Sequence, residues 1–189
     1  PEFKNSLTVL DDERVIIGMT LKMLGYPLNE TNPVALQKAK DALIKLQPNI
    51  KSYDSDSPKT SLINGESKAI FAWGAEGNLA RIENPNIKYV IPKEGLFLQQ
   101  DNFVIPKAAK NVKAAQLFIN FIMDPKISAE ISHKFPYGNP NTAAYKYIDK
   151  KTLDDKAVYP PKETVKKGEY LKDIGKSVTD LDKIWTEVK

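Results

Sequence analysis

The sequence predicts an α/β fold in which short strands alternate with amphipathic helices. Three stretches carry that expectation. The β-prone run Ser6–Leu10 feeds directly into Asp11-Asp12 and an apolar stripe of Val15, Ile16, Met19, Met23 and Leu24 that ends at Gly25. Asn32-Pro33, an N-cap residue followed by proline at the first helical position, precedes Leu36, Ala39, Ala42, Leu43 and Leu46 at helical spacing. The apolar run Ala69–Trp73 reads as a buried strand, and Gly74 then lets the backbone turn toward the next element.

The remaining elements follow from similar signals. Pro48 stops the second helix, and Ser52–Pro58 is a polar, turn-rich connection. Ser61–Gly65 reads as a short helical turn, Gly77–Ile82 as helix, and Ile87–Ile91 and Asn102–Ile105 as strands. Asn111 precedes an amphipathic helix with Ala114, Ala115, Phe118, Phe121 and Ile122 on one face. Asp124-Pro125 ends it and opens another toward Lys134. Phe135–Asn141, with two prolines, a glycine and two asparagines, is a loop; Asp154–Gly168 is irregular and proline-rich. The chain closes with a helix from about Val178 to Val188.

Composition narrows the function classes. The 189 residues suffice for one large domain or two small lobes, with 41% hydrophobic and 28% charged residues. The net charge of +4 comes from scattered lysines such as Lys107, Lys110 and Lys113. They lack the interleaved aromatics of a nucleic-acid groove, so they read as a solvated surface. No cysteine is present, which excludes disulfides, thiolate metal sites and a cysteine nucleophile. The single histidine, His133, sits at a polar helix end. Zinc sites and Ser-His centres therefore lack parts, and no glycine-rich phosphate loop occurs. Neither cofactor nor enzymatic activity is expected. A hydrolase or transferase using Asp12, Glu76 and Asp101 would need carboxylates flanking a reacting bond, and nothing in the sequence indicates that. No run has the length of a membrane-spanning helix. The start Pro1-Glu2-Phe3-Lys4-Asn5-Ser6 reads as a cut inside a longer polypeptide.

The chemistry that remains is acidic and aromatic. Trp73 lies at the end of its run, with Glu76 three residues on. An indole face attracts an ammonium, and a carboxylate supplies its counter-charge, so the pair suits an organic cation. An ordinary strand-to-helix junction with a core tryptophan and an acidic first turn accounts for the same residues.

Several stretches in collinear order resemble the spermidine/putrescine-binding proteins, the substrate-capturing components of bacterial ABC polyamine importers. They are Leu10-Asp11-Asp12-Glu13-Arg14, Leu24-Gly25-Tyr26, Leu46–Ile50, Asn64-Gly65-Glu66, Trp73-Gly74-Ala75-Glu76 and Ile91–Gly95. Asp101–Pro106, Ala115–Phe121, Tyr137–Asn141 with Ala143-Ala144, and Gly168-Glu169 continue the match. The resemblance implies a periplasmic-binding-protein-like lobe from a two-lobed trap. Residues 1–98 and 146–189 would form the second lobe, and residues 99–145 a hinge strand and excursion returning to a missing N-terminal lobe. Pro1 would lie near a hinge crossing. A polyamine ligand, an ABC transporter permease and an extracytoplasmic location are implied with it.

By the same resemblance Asp12 and Asp101 are carboxylates that hold ligand ammonium groups, while Trp73 and Tyr137 line the cleft. Glu76 falls where putrescine-type relatives carry an Asp. Val15 stands where the family has a Glu, Gln99 where an aromatic stacks, and Leu171 where a polar residue meets the ligand end. Glu76 could compensate for the carboxylate missing at Val15. Each residue also has a structural reading: Asp12 as a helix cap, Asp101 as a turn carboxylate, Tyr137 as loop packing. An interaction or sensor module on the same fold, with a degraded ligand site, is the alternative.

Overall fold

The computed structural model describes residues 2–189. The expectation about Pro1 falls outside them. In chain order the elements are β1 (Leu7–Val9), α1 (Glu13–Met23), α2 (Pro33–Leu46), β2 (Ile50–Tyr53), α3 (Pro58–Ile63), β3 (Ala69–Ile70) and α4 (Gly74–Glu83). There follow β4 (Phe97–Leu98), α5 (Val112–Ile122), α6 (Pro125–Lys134), α7 (Lys150–Leu153), α8 (Lys162–Lys166), β5 (Glu169–Tyr170) and α9 (Val178–Val188). The chain divides into two compact units: residues up to Gln99 with Pro161–Lys189, and Gln100–Pro160.

In the first unit β1 is the middle strand of a parallel sheet of order β2-β1-β3. Its two faces differ in chemistry. Val9 is buried on one side, whereas the Thr8 hydroxyl lies within 2.8 Å of the Ser52 and Ser67 hydroxyls and 3.1 Å of that of Ser61. Helices α1, α2 and α9 pack together over a core of Val9, Leu10, Val15, Ile17, Leu21, Ala39, Leu43, Leu181 and Val188. Each large aliphatic side chain buried there contributes about 1.5–3 kcal/mol. Asp12 caps α1, its Oδ1 accepting from the Val15 N–H at 3.0 Å; Asn32 caps α2 through Val34. Gly18 is buried in α1 because a Cβ there would lie 2.9 Å from both Cδ1 and the carbonyl oxygen of Leu28.

A second parallel pair, β4 with β5, is tied to α1 through Glu169. Lys22 near the end of α1 donates to Glu169 Oε1 at 2.5 Å, and the Leu28 N–H donates to Oε2 at 3.1 Å. Burial pushes the Glu169 carboxyl up. The hydrogen bonds from Lys22 and Leu28, with the charges of Lys22 and Lys172, outweigh it and hold the group below its ordinary value.

The second unit is helical. Asn139, buried at the centre of the Phe135–Asn141 loop, donates from Nδ2 to the Ser128 carbonyl and to Ser132 Oγ. Its Oδ1 accepts from the Asn141 N–H, and its carbonyl accepts from the Tyr145 hydroxyl. Ala129, Ala144 and Ile148 form the small core beside it.

Several expectations need correction. The run Ala69–Trp73 pairs as a strand only over Ala69–Ile70, and α4 begins at Gly74 rather than Gly77. The helical turn expected at Ser61–Gly65 starts earlier, at Pro58, where proline suits the first helical position. Ile87–Ile91 is not a strand: Tyr89 packs on Gly77, a contact of 2.9 Å to a Cβ placed there, and lies under the Arg81 guanidinium. That segment is held by side chains of α4 instead of a ladder. Asn102–Ile105 also lacks strand structure, with Phe103 and Val104 exposed. Strands β2, β4 and β5 were not expected. Helix α5 forms as predicted, but its apolar face is open: Leu117, Phe118 and Phe121 are all more than half exposed, with the Phe103 ring set edge-on to Phe118.

Candidate functional site

The carboxyl ends of parallel strands are where α/β sheets place ligands, because the loops there diverge and helix N-termini point inward. In the first unit three such loops are stitched together. The Asp54 N–H bonds to the Val9 carbonyl and the Phe71 N–H to that of Thr8, each at 2.9 Å. Ser55 then joins the loops across the edge: its Oγ accepts from the Asp11 N–H, and its carbonyl accepts from Trp73 Nε1, both at 2.9 Å. Asp12 and Trp73 each lie three residues beyond the ends of adjacent parallel strands, β1 and β3, and so belong to the same edge of the sheet.

Trp73 is the residue before α4, and its ring is half-buried. Phe97 sets its own ring edge against it at 5.9 Å and stacks on Phe71 at 6.5 Å. The rings pack as one apolar cluster that backs the indole, whose face suits an ammonium or a methylene chain. Asp12 uses Oδ1 for its cap; Oδ2 takes no hydrogen bond among the described residues. Val15, on the same helix, is 1% exposed and lies in the core.

Glu76, in the first turn of α4, is engaged. Lys59 in α3 reaches both carboxylate oxygens, at 2.9 and 3.2 Å. The Glu76 side chain is 15% exposed and that of Lys59 23%. Nothing in the sequence pairs these two residues, 17 positions apart; only the packing of α3 against α4 does. Ser55 and Phe97 were missed likewise, although Phe97 stands just two residues before Gln99.

Leu171 is partly exposed on a stretch that Asn29 fixes, donating to the Tyr170 carbonyl and accepting from the Lys172 N–H. Gln99 is exposed at the end of the first unit. Asp101 and Tyr137 belong to the second unit. Asp101 is exposed on extended chain; Tyr137 is about half exposed in the loop that Asn139 locks. The structure thus gathers Asp12, Trp73 and Glu76 on one sheet edge, with Asp101 and Tyr137 on a separate unit.

An apolar groove of about 320 Å³ lies between the sheet and α1 and α2, lined by residues such as Leu7, Val9, Met19, Leu43 and Pro92, and it reaches the edge at Phe71. Asp12, Trp73 and Glu76 do not line it. Among the described residues no group of three His, Asp or Glu could hold a metal, and no helix is long and apolar enough to cross a membrane.

The chain is 34% identical over its whole length to the spermidine/putrescine-binding periplasmic proteins of Salmonella typhimurium and Escherichia coli. It is 30% identical, over 97% of its length, to the putrescine/agmatine-binding protein of Pseudomonas aeruginosa. It spans about half the length of these curated relatives, 54% of the first two and 52% of the third. A solved structure of a spermidine/putrescine ABC transporter protein from Listeria monocytogenes superposes with a TM-score of 0.92 at 34% identity, covering 100% of this chain and 58% of that one. The spermidine/putrescine ABC transporter substrate-binding protein of Streptococcus pneumoniae gives 0.84 at 33% identity, covering 99% and 58%. The fold is therefore a lobe of the periplasmic-binding-protein type. The sequence model for the bacterial extracellular solute-binding proteins matches residues 2–161, and the chain belongs to that family.

Proposed function

We propose that this chain is the ligand-capturing second lobe of a polyamine-binding protein serving an ABC importer. One observation carries the reading: Asp12 and Trp73, a carboxylate and an indole, follow the carboxyl ends of adjacent parallel strands. An ammonium stripped of water needs charge-assisted hydrogen bonds, and its methylene chain needs flat apolar walls. Asp12 offers the first, and the face of Trp73, backed by Phe97, offers the second. In a closed two-lobed protein Asp101 and Tyr137 would add a further carboxylate and wall.

In this reading residues 99–145 belong with the N-terminal lobe. The open face of α5, with Leu117, Phe118 and Phe121, supports that, since so much apolar surface on one helix is unusual without a partner. In the same reading the permease is the second partner and no reaction is catalysed; the protein works outside the cytoplasm, which the periplasmic designation of its relatives supports. Calorimetry of the two-lobed protein with spermidine and with putrescine tests the reading. Saturable heat is expected from at least one; none from either at millimolar ligand contradicts it.

Val15 in the core and Glu76 already paired favour one other reading, an interaction or sensor module on the same fold. It predicts that Asp101→Ala leaves the protein's activity intact.

A further inference from the structure

The Lys59–Glu76 pair has a position that an ordinary surface ion pair lacks. Both oxygens of Glu76 face one ammonium, and both side chains are more than three-quarters buried. The carboxylate begins one helical turn after Trp73, on the edge where Asp12 also lies. Lys59 therefore does to Glu76 what a ligand amine would do: it brings an ammonium and donates to the same acceptors. Its own positive charge stays at the site. Val15 meanwhile contributes no acid from α1.

We infer that Lys59 is the specificity-determining residue of this lobe, an internal ammonium that withholds Glu76 from the ligand and selects amines of low charge. The inference rests on the polyamine reading above. With Glu76 neutralised, Asp12 is the carboxylate this edge offers beside Trp73. A diamine, which needs few anionic partners, is accepted; a triamine meets a neutral ion pair where an unpaired Glu76 would offer one more anion. Removing the lysine's charge restores that anion, because Glu76 becomes a partly buried carboxylate without a counter-ion.

The test is calorimetry with putrescine and spermidine on the full-length two-lobed protein and its variants. The wild-type protein is expected to favour putrescine. Lys59→Met is expected to raise the spermidine-to-putrescine affinity ratio at least tenfold, while Lys59→Arg leaves it unchanged. Adding Glu76→Gln to Lys59→Met is expected to cancel the gain. Lys59→Met is also expected to melt earlier and to recover more of its Tm with spermidine than the wild type does. Should Lys59→Met fail to fold, Lys59→Gln, which still donates to Glu76, carries the same comparison. An unchanged ratio in the charge-removing variant, or a gain that persists without Glu76, overturns the role of Lys59 and leaves polyamine binding standing. A wild-type protein that binds neither amine removes the polyamine reading, and this role with it.

Discussion

Trp73 donates its indole N–H to the carbonyl of Ser55 at 2.9 Å, so the residue that ends one strand's loop is fastened to the loop of a strand two places away in the sheet. The bond fixes the ring plane that Phe97 supports from its edge. Trp73→Phe keeps an aromatic wall but leaves Ser55 O without that donor. A loss of about 1 kcal/mol in unfolding free energy is expected by denaturant titration. In the two-lobed protein, amine affinity should fall several-fold for Phe and more than tenfold for Trp73→Ala.

Glu169 makes stability depend on acid. Its carboxyl is held below the ordinary glutamate value despite burial, because Lys22 and the Leu28 N–H donate to it. In the unfolded chain it titrates near about 4.3. The stabilisation is thus fully present above that pH and is lost as the pH falls through the lower folded value. Asp149, lowered by the hydroxyl and N–H of Thr152, acts in the same direction. Glu169→Gln should lower Tm at pH 7 and flatten its fall between about pH 5 and 3. Parallel acid profiles for variant and wild type would contradict the role.

Gly18 sits where α1 meets Leu28. Gly18→Ala places a methyl 2.9 Å from Cδ1 and the carbonyl oxygen of Leu28, and the backbone atom cannot step aside cheaply. A loss of about 1–3 kcal/mol is expected, despite alanine's better helix propensity. A stabilised variant in a urea titration would mean that Leu28 moves freely.

Asn139 locks the loop that carries Tyr137. Asn139→Leu removes donors and acceptors serving Ser128, Ser132 and Asn141 in a buried setting. About 2–3 kcal/mol of destabilisation is expected. Amide hydrogen exchange should quicken across Phe135–Asn141 while α1 and α2 keep their protection.

What was legible in the sequence was mostly local chemistry. Asp12 and Asn32-Pro33 announce α1 and α2 because a cap needs only residues two or three positions away. The α5 period was equally plain, whereas its lack of cover was not, since a periodic stripe does not say what packs on it. Strand β2 hides in Ile50-Lys51-Ser52-Tyr53, too polar to stand out, and is a strand only because Leu7–Val9 pairs with it. Ile87–Ile91 failed in the opposite sense: its alternation is real, but Tyr89 is used against Gly77 and Arg81 rather than in a ladder. At the candidate site Trp73 and Asp12 were visible as strand-end residues. Lys59 was not, because its meeting with Glu76 depends on how two helices pack.

Capture of a polyamine by carboxylates and aromatic walls is checked by calorimetry of the two-lobed protein, wild type beside Asp101→Ala, titrated with putrescine and spermidine. Saturable binding to the wild type is expected, with at least a hundredfold loss in the variant, about 2.7 kcal/mol. Equal binding by both proteins, or no heat from either amine, would contradict it.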